Sequence, residues 1–153
     1  MPVFYVECTY CGIAANGLDH VVPVSYDYVS RKAASYAKDL VVPCCSECNS
    51  RLSNFYLTTI AERAEYLIGA YKNKYKKILN RPDWTDEELK EMGPTMRQRI
   101  KADAQLKIEL EQRLTHLLDV SMNESLTPLD IWDKYSEGAY TMFTSRRHQR
   151  NTD

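Results

Sequence analysis

The chain has 153 residues, a net charge of −1, 44 % hydrophobic and 27 % charged residues, which excludes a disordered chain and suits one ordinary domain or a small domain with an extension. Its apolar runs are far too short to span a membrane, and the opening "MPVFYVEC" lacks the regions of a secretory signal. Five cysteines in such a chain point to the cytoplasm, where metal or thiol chemistry is the better reading than disulfides.

In chain order, "VFYVE", "LDHVVPV" and "LVVP" are short β-branched runs bounded by turn formers and predict strands. The stretch "SYDYVSRKAASYAKD" between them reads as a loop with one helical turn. From Thr59 the pattern changes. "TIAE" is a capping box, and Ile60, Ala64, Leu67, Ile68, Tyr71, Tyr75 and Ile78 recur at helical spacing to about Leu79. "RPDW" ends that helix; "TDEE" opens a short one, closed by Gly93-Pro94. From Thr95 to about Val120, the residues Met96, Ile100, Ala104, Ile108, Leu110, Leu114 and Leu118 form one face of a long amphipathic helix. Packing against the first helix is the simpler use of that face, and a homodimer interface is the alternative. Thr127-Pro128 begins a last helix that Gly138 ends. The expected architecture is α+β: a small metal-organised head over residues 1–54, a helical extension over 55–140 packed on or beside it, and a loose basic tail over 141–153.

Charge is unevenly spread. Residues 55–81 carry a net +4 and residues 82–138 a net −6. Lys72, Lys74, Lys76, Lys77 and Arg81 surround Tyr71 and Tyr75, a pattern equally expected of a solvated helix face and of a phosphate-binding surface; its place next to the head favours DNA. Arg51 is a further candidate phosphate contact, as are Arg146, Arg147 and Arg150 in the tail.

Cys8-Thr-Tyr-Cys11 and Cys45-Ser-Glu-Cys48 are two C-x-x-C pairs with thirty-three residues between them. Each pair can present thiolates at two corners of a tetrahedron, so two pairs complete a zinc site. A head of this size is also too small to depend on its core alone. Buried free thiols and a redox pair are the competing readings, the latter weakened by the lack of a βαβ pattern. Cys44 breaks the spacing and reads as a small buried apolar residue. Between the pairs, Asp19-His20 sets a hard oxygen ligand beside an imidazole, the side chain that titrates nearest neutral pH.

The combination C-x-x-C, D-H-V-x-P and C-x-x-C-N over residues 5–54 resembles the zinc-containing HNH endonucleases, which have a ββα-metal fold. Similarity to the helical extensions of small phage and bacterial members runs on through "RPDWTDEELKEMGPTMRQRI". The resemblance implies a structural Zn²⁺ on Cys8, Cys11, Cys45 and Cys48, a catalytic Mg²⁺ or Mn²⁺ on Asp19 and Asn49, and His20 as general base. It also implies DNA as substrate in a bacterial cell or phage-infected host, with no organic cofactor and no membrane. The pattern departs at the middle asparagine, where Leu40, preceded by Asp39, stands instead. That departure supports the alternative of a catalytically silent, zinc-organised nucleic-acid-binding or phage packaging factor.

Overall fold

The computed structural model describes residues 5–21, 37–53 and 55–150, with side chains as far as Ser145. Most of the loop expected over residues 25–39 lies outside them, as do the side chains of Arg146, Arg147 and Arg150. Within them the chain is α+β, mostly helical, with a small sheet. Strand β1 (Gly17–His20) pairs antiparallel with β2 (Val41–Cys44), Gly17 opposite Cys44 and His20 opposite Val41. All four β2 residues are buried, as a short continuous apolar run predicts. Pro43 carries no donor, but its carbonyl accepts both the amide and the hydroxyl of Thr9, each at 2.9 Å. This ties the first cysteine pair to the free edge of β2.

Helix α1 (Ser46–Leu52) begins directly after β2 with Cys45 as its N-cap. Helix α2 (Ile60–Lys74) is capped by the Thr59 hydroxyl, which accepts the Glu62 amide at 3.1 Å. The run expected to Leu79 breaks at Tyr75 and resumes as α3 (Lys76–Leu79). The short helix α4 (Asp86–Lys90) has the full capping box between Thr85 and Glu88, and α5 (Pro94–Ser121) is the long helix. Tyr71 meets Arg113, whereas Arg81 meets Asp103 and Lys107. Partner numbers fall as chain numbers rise, so α5 runs antiparallel to α2 and α3.

The packing face of α5 departs from the hydrophobic reading. Leu110 and Leu117 are buried, whereas Ile108 and Leu118 are 49 % and 52 % exposed, and Met96 is also exposed. Polar residues occupy part of the seam: Asp103 pairs with Arg81, and Lys107 donates to the Arg81 carbonyl at 2.9 Å. A long lysine stem such as that of Lys107 can lie along such a seam with its ammonium at the edge. A count restricted to apolar side chains therefore sets the face about one residue, roughly 100°, off.

The C-terminal region also differs. Thr127 caps α6 (Pro128–Trp132) as expected, with Asp130 completing a capping box. Gly138, expected as a stop, lies in the first turn of α7 (Glu137–Arg150). Residues 141–150, expected as loose tail, are helical, and Phe143 is buried. The reason is Trp132, whose indole donates to the Val41 carbonyl at 2.8 Å. It forms an apolar cluster with Val6, Leu18, Val41, Ala139 and Phe143. A second cluster joins the cysteines, Val42 and Leu52 to Leu67, Tyr71, Leu117 and Ile131. Head and helical extension thus share their cores.

Candidate metal centre and active-site face

Cys8 and Cys11 sit at the tip of a hairpin closed by the Glu7–Ala14 bridge and by the Cys8 amide on the Ile13 carbonyl at 2.6 Å. Gly12 completes the turn at φ +84°, and a Cβ there would lie 2.8 Å from Cδ2 of His116. Backbone sign and close approach both require glycine. The His116 ring is held by its Nδ1, 2.8 Å from the Tyr10 carbonyl. Cys45 and Cys48 form the second pair, the Cys45 sulfur accepting the Cys48 amide at 3.4 Å.

The four sulfurs converge. All lie within 4.8 Å of one another, and Cys11 Sγ is 3.7 Å from Cys45 Sγ. Tetrahedral zinc–sulfur bonds of ~2.3 Å separate the sulfurs by ~3.8 Å, so this donor set can hold a metal ion such as zinc. All four are buried. Hydrogen bonding from Cys11 and the other thiols pulls Cys8 below the usual thiol range, and the bond to Cys45 brings Cys11 to about 7. Cys44 stands outside the set, its thiol donating to the Cys45 carbonyl at 3.3 Å.

Asp19 and His20 lie on β1, and Asn49 follows Cys48 on α1. The Asn49 amide donates to the Leu18 carbonyl at 3.4 Å, joining α1 to β1 next to Asp19. His20 is partly exposed at the end of β1. Asp19 faces inward and is 3 % exposed. Its Oδ1 accepts Arg63 Nη2 at 2.7 Å; its Oδ2 accepts Arg63 Nε at 3.0 Å and the Tyr10 hydroxyl at 2.6 Å. A guanidinium thus occupies the place where a carboxylate would receive a divalent cation. In this pairing Asp19 does not fit the role of catalytic ligand inferred from the sequence. Burial pushes the Asp19 carboxyl up, against the pull of Arg63.

Arg63 is the residue missed by the sequence reading, which left it in the basic block. Its signal was its place on the apolar face of α2, one turn after Ile60 and one before Leu67. It is fully buried, and Nη1 also donates to the carbonyls of Val21 and Leu57 at 3.0 and 2.9 Å. Arg63→Ala is expected to cost about 3–5 kcal/mol, because it leaves the Asp19 charge buried and unpaired. Urea unfolding of the metal-loaded protein checks this; an unchanged midpoint would show that Asp19 does not depend on Arg63.

Leu40 packs against the Trp132 cluster, and its backbone carbonyl accepts the Val21 amide at 3.0 Å. The strand pair is closed there by main chain, not by an asparagine side chain.

Of the cations expected at nucleic acid, six have described side chains, and three of these have carboxylate partners. Glu47 Oε2 lies 3.5 Å from Arg51 Nε and 3.3 Å from Lys74 Nζ, and Asp103 pairs with Arg81. Burial alone would raise the Glu47 carboxyl, but hydrogen bonds from Tyr75 and Arg113 outweigh it and hold it at about 2. Lys72, Lys76 and Lys77 are exposed and have no ion pair among the described residues.

No family model matches the chain, and neither a curated protein nor a solved structure does. No helix among the described residues is long and apolar enough to cross a membrane.

Proposed function

We propose that the chain is a zinc-organised DNA endonuclease of the HNH kind, with zinc on Cys8, Cys11, Cys45 and Cys48 and His20 as general base. The observation that carries the reading is the Asn49–Leu18 hydrogen bond. It brings the asparagine behind the fourth cysteine against the strand bearing Asp19-His20, in the order strand, strand, helix. Hydrolysis of a phosphodiester needs a base for the attacking water, and a neutral imidazole serves that role near neutral pH. The requirement for Mg²⁺ or Mn²⁺ comes from the family resemblance. One such centre cuts one strand, so a double-strand break calls for a homodimer or two visits.

Supercoiled plasmid incubated with and without Mg²⁺ or Mn²⁺ tests the reading. Metal-dependent conversion to open circles is expected. A wild type inert with every divalent ion would leave the second reading, a catalytically silent DNA-binding factor, which the Asp19–Arg63 pair favours.

DNA binding would fall chiefly to Lys72, Lys76 and Lys77. Changing all three to Gln should weaken DNA affinity and flatten the plot of log affinity against log salt by about one unit for each phosphate no longer neutralised. Titrations at several salt concentrations measure this, and an unchanged slope returns the lysines to a solvated face.

A further inference from the structure

We propose that Arg113, on the long helix α5, is the positioning and charge-compensating residue of the four-cysteine centre, so that the helical extension and the metal site stabilise each other. This rests on the zinc reading above. Four thiolates around Zn²⁺ carry a net charge of −2, which is costly to bury unless a cation or hydrogen-bond donors lie close. Arg113 supplies the cation itself and the donor by way of Tyr71. Its Nη2 donates to the Tyr71 hydroxyl oxygen at 3.0 Å, and that oxygen lies 3.0 Å from Cys48 Sγ. A phenol has one proton. Because Arg113 donates into the Tyr71 oxygen, that proton is left to point at the Cys48 sulfur, which as a thiolate only accepts.

Nη1 donates to Glu47 Oε1 at 3.0 Å, which fixes the guanidinium beside the second cysteine pair. The guanidinium also lies over the Tyr71 ring, 4.7 Å from its centroid. Nε of Arg113 is buried without a hydrogen-bond partner among the described residues.

The test uses the full chain loaded with Zn²⁺ and, separately, with Co²⁺. Arg113→Gln should weaken zinc about 10- to 100-fold in competition with a chelator. Tyr71→Phe, which removes only the hydroxyl, should weaken it in the same direction. Both should shift the sulfur-to-cobalt charge-transfer band, since each changes hydrogen bonding to a thiolate. Leu110→Ala, which loosens α5 packing without removing either hydrogen bond, should leave the band in place. If Arg113→Gln fails to fold, Tyr71→Phe decides alone. Variants that match a metal-loaded wild type in affinity and band position would overturn this inference by itself. A wild type that takes up neither metal would overturn the zinc reading along with it.

Discussion

Cys45→Ser is expected to empty the metal centre and unfold the head. Cys45 is at once one of the four converging sulfurs and the N-cap of α1, where its sulfur accepts the Cys48 amide. Structural zinc contributes about 10–16 kcal/mol of apparent binding free energy in small domains. Whole domains are stable by only about 5–15 kcal/mol. Losing a ligand is therefore enough to unfold everything that converges on it, and here that includes the core shared with α2 and α5. Ser at Cys8, Cys11 or Cys48 should act alike. Cys44→Ser should cost about 1 kcal/mol, because a hydroxyl can keep the donor bond to the Cys45 carbonyl. Elemental analysis should find about one zinc per wild-type chain, with circular dichroism reporting the unfolding. A folded, zinc-free wild type would refute this account.

His20→Ala should abolish nearly all nicking, a loss of about 10²–10⁴-fold, while zinc content and DNA affinity stay as in wild type. His20 is partly exposed and is neither one of the four sulfur ligands nor part of the apolar clusters. Its removal therefore leaves the four sulfurs and the apolar clusters in place. Asp19→Ala should also stop cutting, but by another route. It deprives the buried Arg63 of its partner, so activity and melting temperature should fall together. Asn49→Ala should lower activity with a smaller loss of stability, since it removes one long hydrogen bond to Leu18. Plasmid nicking measured alongside thermal melts separates the three. Equal activity of wild type and His20→Ala would remove His20 from the mechanism. Leu40→Asn is the informative reverse change: the main chain already closes the strand pair at this position. Restored asparagine should therefore leave cutting at or above the wild-type rate.

Local pattern alone was enough for much of the structure, because the signals involved act within a few residues. The C-x-x-C spacing marked the four sulfurs that converge, and Thr59, Thr85 and Thr127 marked three helix starts through caps closed three residues away. The β-branched runs around Asp19 and Val42 marked the strand pair. Charge partners, by contrast, were decided only by tertiary packing. Arg63 reads as one more cation in a basic block until α2 lays it against Asp19, forty-four residues earlier in the chain. Arg51, Lys74 and Arg81 read as free for phosphate until Glu47 and Asp103 reach them. Arg113 had no local signal at all; its role exists because α5 runs back past the metal centre. The tail followed the same rule, since residues near Phe143 are weak helix and loop by composition and are ordered by Trp132 on the far side of the sheet. Hydrogen bonds within one turn depend on sequence neighbours, whereas Coulomb and burial energies depend on distance in space, and the chain's own order does not encode that distance.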